Sequence, residues 1–130
     1  MLAVMYSNTN SVNVLLNCYK KKLEDINVKN NNGDTVLMIA IRYNNRDIIK
    51  RILEESTIDI NVKNNENISP LILAIRLGNE ELAGELLKDK RIDVNIKDDY
   101  GNTPLILASE QGEKNIVKMI EFLAKNMQFF

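Results

Sequence analysis

The side chains best suited to chemistry in this chain are one cysteine and a few paired carboxylates. Cys18 stands just before Lys20-Lys21-Lys22, and neighbouring cations lower a thiol pKa toward the nucleophilic thiolate. Glu54-Glu55, Glu80-Glu81 and Asp98-Asp99 are pairs of the kind that shuttle protons or hold calcium. None of them lies in a loop of alternating oxygen ligands closed by a glutamate, and Glu80-Glu81 fits better as acid at a helix N-terminus. There is no histidine, so Ser-His-Asp and Cys-His nucleophiles and His/Cys zinc sites cannot be assembled. The five glycines, at 33, 78, 84, 101 and 112, are too scattered to cradle a phosphate. The expectation is a non-catalytic protein with no cofactor and no metal.

Composition narrows the classes further. The chain has 130 residues, 45% hydrophobic and 27% charged, enough for one domain with a real core and too few for two. Seventeen basic against 18 acidic side chains leave a net charge of -1, so no global field recruits nucleic acid or an anionic membrane. No apolar run reaches membrane-spanning length, and Met1–Tyr6 lacks the basic start of a signal peptide. A single cysteine forbids an internal disulfide and fits a reducing compartment. The chain reads as soluble and cytoplasmic.

The elements that could position these residues emerge from an internal repeat. Gly33, Asn67 and Gly101 are spaced 34 apart, as are Thr35, Ser69 and Thr103, then Leu37, Leu71 and Leu105, then Ala40, Ala74 and Ala108. The same shift superimposes Asp25-Ile26-Asn27-Val28-Lys29, Asp59-Ile60-Asn61-Val62-Lys63 and Asp93-Val94-Asn95-Ile96-Lys97. Residues 30–63 and 64–97 share 12 identities in 34 positions. In this register Cys18 falls on Ile52 and Leu86, which makes it a small buried hydrophobe, and the lysine triplet falls at a helix end whose dipole suits cations.

Each column has a physical task. The hydroxyls of Thr35, Ser69 and Thr103 can cap helix amides, and Pro70 and Pro104 follow at the first helical position, where a missing N–H costs nothing. The leucines then fill a core and the alanines admit a neighbouring helix closely. Asn44, Gly78 and Gly112 can end this first helix in the left-handed conformation. Ser11, Asn45 and Asn79 cap a second helix, whose inward face is Val14/Leu15, Ile48/Ile49/Ile52, Leu82/Leu86 and Ile116/Ile120. The register predicts helix pairs near 35–43 and 46–54, 69–77 and 80–88, and 103–111 and 113–124. Turns at Asn32-Gly33, Glu66-Asn67 and Tyr100-Gly101 predict extended fingers between pairs. Asn67-Ile68-Ser69 matches a glycosylation sequon, but its Asn and Ser are already turn and cap residues.

Gly101-Asn102-Thr103-Pro104-Leu105-Ile106-Leu107-Ala108, the helix pairs and the Asp-Val-Asn segment together resemble the ankyrin repeat. The resemblance is strong over 25 to about 123 and by register alone before it. It departs from the family in Met38, Ile72 and Ile106, which stand where a histidine is usual, and in a period one residue longer, the extra residue falling near Ser56-Thr57 and Lys90-Arg91. It implies an all-α solenoid of helix-turn-helix units joined by β-hairpin fingers, a single domain over 1–130. Its units would be a degenerate N-terminal cap at 1–29, then 30–63, 64–97 and 98–130.

The resemblance also implies a function: binding a partner protein, not yet identified, through a concave face of finger tips and first helices. Carried over by register, the partner-binding residues are Asn31, Asn32, Asp34, Arg42 and Tyr43; Asn65, Glu66, Ile68, Arg76 and Leu77; and Asp99, Tyr100, Asn102, Glu110 and Gln111. Among them Tyr43, Ile68, Leu77 and Tyr100 are large and apolar where folding does not demand it, and Arg42 and Arg76 repeat on one row, a composition typical of binding hot spots. The alternative is a structural or self-associating unit, such as part of a longer array, stacked through its C-terminal end. There Phe122, Phe129 and Phe130 exceed what one helix seam can cover, while Glu121 in the column of Leu53 and Leu87 is cap-like. A monomer with Phe129-Phe130 folded over the last repeat is therefore preferred.

Overall fold

The computed structural model describes residues 26–127, with side chains to 125. Six helices follow in order: α1 Val36–Arg42, α2 Arg46–Leu53, α3 Pro70–Arg76, α4 Glu80–Lys88, α5 Pro104–Glu110 and α6 Lys114–Met127. They form three pairs, α1·α2, α3·α4 and α5·α6, stacked so that α3 packs on α1 and α5 while α4 packs on α6. Spans agree with the register to within a residue except at α6, which runs on to Met127. The expectations for the N-terminal cap unit, with Ser11, Val14, Leu15, Cys18 and Lys20-Lys21-Lys22, and for Phe129 and Phe130 lie outside the described residues.

Five of the six helices are capped as the columns require. Thr35, Ser69 and Thr103 accept from the amides of Met38, Ile72 and Ile106 at 3.4, 3.2 and 3.3 Å. Asn45 and Asn79 accept from Ile48 and Leu82 at 3.3 and 3.1 Å. Leu37, Leu71, Ala40, Ala74 and Ala108 are completely buried, so the first helices approach one another over the alanines while the leucines fill the space beside them. Ser109 and Glu121, both exposed, take the columns of the buried Ile75 and Leu87, and among the described residues no helix packs on the outer side of this last pair.

The expected β-hairpin fingers are instead bare turns: no strand occurs among the described residues. Each finger closes on itself within five residues, the amides of Asn30, Asn64 and Asp98 donating to the carbonyls of Asp34, Ile68 and Asn102 at 2.9 to 3.0 Å. The helix caps Thr35, Ser69 and Thr103 follow at the very next residue, so the returning arm has nothing left to pair into a ladder. One backbone bond links successive fingers, Asn65 N–H to Asn32 O at 3.0 Å. The repeated asparagine of Asp-Ile-Asn-Val-Lys does the stitching further back. Asn27 Nδ2 donates to Thr57 O at 3.0 Å while its Oδ1 accepts from Asp59 N at 2.7 Å. Asn61 treats Arg91 O and Asp93 N the same way, both at 2.8 Å.

Gly33 is needed twice over. Its φ is +78°, and a Cβ there would lie 2.5 Å from Asn65 Oδ1 and 2.6 Å from Asn65 N, the amide that ties the two fingers. Gly101 has a similar φ with nothing within 4 Å. Gly101→Ala should cost about 1 kcal/mol, the conformational penalty alone, and Gly33→Ala clearly more, which paired urea denaturation curves would measure. Equal costs would mean that the inter-finger approach is not tight.

Candidate protein-binding surface

The face to consider is built from the fingers and the ends of the first helices. A side chain in each finger makes the turn: Asn30 Oδ1 accepts from the amides of Asn32 and Asp34 at 3.0 Å. Asn64 Oδ1 accepts from Glu66 and Ile68 at 2.9 and 3.1 Å, and Asp98 Oδ1 from Tyr100 and Asn102 at 2.9 Å. These bonds leave Asn31, Asn32, Asn65, Glu66, Asp99 and Tyr100 exposed at the tips.

The two arginines of the row are each held by a buried acid. Arg42 Nε lies 3.2 Å from Asp34 Oδ2, and Asp34 Oδ1 also accepts from Asn64 Nδ2 at 2.9 Å. One repeat on, the column of Asp34 is Ile68, and the acid has moved to the column of Asn64: Arg76 lies 2.8 Å from Asp98 Oδ2. Burial pushes the Asp98 carboxyl up, but the Asn102 amide, Arg76, the Tyr100 amide and the Asn102 side chain outweigh it and hold it below the ordinary aspartate value. Arg42 and Arg76 are thus committed internally, though partly exposed.

Tyr43, Leu77 and Tyr100 are 47, 52 and 85% exposed, and Glu110 and Gln111 are exposed as well. Tyr43 shares a groove with Asn30, Asn32, Asp34, Arg42 and Glu66; Leu77 shares another with Arg76 and Gln111. Three expected surface residues are placed elsewhere. Ile68 is 7% exposed and belongs to the core, because its column is the base of the finger, where the chain returns to the helix cap. Its apolar character is therefore explained by folding. Asp34, in the same column, is buried in its ion pair, and Asn102 is half-buried and donates to Asp98 Oδ2 at 3.3 Å.

The sixth helix begins differently from the rest. Glu113 precedes α6 in the column of the capping Asn45 and Asn79, yet neither of its oxygens has a partner although the residue is only 6% exposed. Burial, then the nearby Glu80 charge, pushes its carboxyl above the ordinary glutamate value. A glutamate whose folded pKa is raised favours folding in its protonated form. Its penalty is absent below the ordinary value of 4.5 and grows as pH rises through the raised one. Glu113→Asn, restoring the cap, should therefore stabilise the chain at pH 7 by about 1 kcal/mol and lose part of that advantage in melts near pH 4. No gain at pH 7 would mean that the carboxylate finds a partner in solution.

Sequence reasoning missed two structural residues. Glu113 was detectable, since extending the cap column Ser11, Asn45, Asn79 by 34 lands on it. Arg91 was not: it sits in the loop holding the extra residue, where no column constrains it. There its guanidinium donates to Leu53 O at 2.9 Å and Glu55 O at 3.0 Å, closing the C-terminus of α2 from the next repeat, while Asp89 holds it at 2.7 Å. The hydrogen bond from Arg91 keeps the Asp89 carboxyl below its usual range.

Among the described residues no group of three or more acidic, cysteine or histidine side chains could hold a metal ion, and no helix is long and apolar enough to cross a membrane. Comparison with curated proteins returns no match. The family model for ankyrin repeats, in three copies, matches residues 1–64 and again 57–128. Helix pairs, capped starts and 34-residue columns are the physical content of that match, and the chain belongs to the ankyrin-repeat family.

Proposed function

We propose that this chain is a non-catalytic, cytoplasmic module that binds a partner protein through the face of finger tips and first-helix ends. Ankyrin repeats in general are protein-interaction modules. The observation that carries the reading here is the exposure of Tyr43, Leu77 and Tyr100, three large side chains that the core does not use, beside polar finger tips that can form a rim. Aromatic anchors ringed by polar groups concentrate binding energy. Affinity capture from the native cell with wild type and with Tyr43→Ala/Leu77→Ala/Tyr100→Ala tests it. The triple variant should lose its partners by about tenfold or more with an unchanged melting temperature, since exposed side chains contribute little to stability. Equal capture by both proteins would refute the surface.

The second reading, self-association through the last repeat, has two observations in its favour: Phe122 is exposed, and so is Ile106, while its column mates Met38 and Ile72 are fully buried. The polar Ser109 and Glu121 beside it oppose stacking. A concentration-independent mass in light scattering is expected.

A further inference from the structure

The junction between the second and third helix pairs keeps none of the polar side chains that join the pairs before it. At the first junction Asn79 donates to Asn44 Oδ1 at 3.0 Å, and Arg46 bridges to Glu81 and Glu85. Thirty-four residues on, Asn44 becomes Gly78, Arg46 becomes Glu80 and Asn79 becomes Glu113, while Glu81 and Glu85 become Asn115 and Met119. An amide pair and a cation neutralising two acids give way to two carboxylates, Glu80 and Glu113, with no cation taking the place of Arg46. A groove of about 490 Å³ opens there, lined by Arg76, Leu77, Glu80, Gln111 and Glu113 with the two turn glycines. A Cβ built on Gly78 or Gly112 would meet nothing within 4 Å.

We propose that this groove seats a lysine or arginine side chain of the partner protein, its charge between Glu80 and Glu113 and its aliphatic stem along Leu77. The proposal rests on the binding-face reading above, because Arg76, Leu77 and Gln111 belong to both. Two independent features support a cation. Glu113 is buried with both oxygens unbonded, a costly state that an incoming ammonium or guanidinium relieves as the side chain turns outward to meet it. The charge of the face points the same way. Arg42 and Arg76 are spent on Asp34 and Asp98, Glu66, Glu80 and Glu110 have no ion pair among the described residues, and neither groove contains a lysine. What remains on offer is negative, and an acidic partner segment would be repelled.

Peptides selected from a random displayed library on the immobilised chain, then measured by calorimetry, test the seat. Selected peptides should carry lysine or arginine. Exchanging that residue for norleucine should weaken binding to wild type by about tenfold or more and change it less than about twofold on Glu80→Gln/Glu113→Gln. Gly78→Asn, which restores the side chain that Asn44 carries in the same left-handed conformation, should block the seat while keeping the fold. Wild-type binding that is indifferent to norleucine, or to both variants, overturns the seat. If such peptides still depend on Tyr43 and Tyr100, the seat alone fails. If Tyr43→Ala/Tyr100→Ala leaves their binding intact, the face itself is misassigned.

Discussion

Leu71→Ala is expected to lower the unfolding free energy by about 3 kcal/mol, within the range of about 2–5 for emptying a fully packed leucine site. Leu71 has no exposure and sits on α3, the helix that touches α1, α4 and α5. Short helices surround it on every side, and their tight caps leave little freedom to collapse into the cavity. Ala74, one turn on and equally buried, tests the opposite error: Ala74→Tyr overpacks the approach of the first helices at a cost on the order of 1–3 kcal/mol. Stacked repeats touch only their neighbours, so damage in the middle pair also uncouples the two ends. Denaturant unfolding followed by circular dichroism should show both the loss and a shallower transition. A loss below about 1 kcal/mol for Leu71→Ala would mean that the column is misplaced.

Asp98→Ala should cost about 2–3 kcal/mol, because it removes a charged acceptor serving two backbone amides, Asn102 Nδ2 and Arg76 together. Asp98→Asn is the informative companion. Asn30 and Asn64 make the same turn with a neutral side chain, so Asp98→Asn should keep the finger and lose only the arginine, for roughly half that cost. The pH dependence has a definite sign. A carboxyl held below its ordinary value of 3.8 stabilises the fold above that value and ceases to do so as pH falls through its lowered one. The advantage of wild type over Asp98→Asn should therefore be full at pH 7 and shrink below about pH 4. An advantage that persists undiminished at pH 2 to 3 would show that the Arg76 contact is not electrostatic.

The helices were legible because their determinants are local. A hydroxyl or amide cap, a proline at the first position and a residue able to adopt positive φ act within a few residues of their own backbone. The fingers were legible as turns, but not as turns without strands. Whether a ladder forms depends on how many residues pair beyond the turn, and here a helix cap follows directly on the residue that closes each loop.

The binding face was legible only in part, and Ile68 shows why. A column of Asp34, Ile68 and Asn102 looks variable and hence superficial, yet all three are at least half covered, because variation there tracks which repeat supplies the acid to the arginine row. Asp34 serves Arg42 from its own repeat, while Asp98 serves Arg76 from the next. That exchange runs across an interface between units, and no single repeat records it.

By itself, the amino-acid sequence determined the period, the helix starts, every helix end but that of α6, the apolar columns and hence the family, since these follow from local chemistry repeated in register. Only the tertiary structure decided which polar residues are spent on holding neighbours together and which are left over. Arg91 reaching back to α2, Asp98 holding Arg76 and Glu113 buried without a partner are all outcomes of one unit meeting the next. The physical reason is that burial and pairing are properties of two surfaces in contact, so their cost and their use arise only once the repeats are stacked.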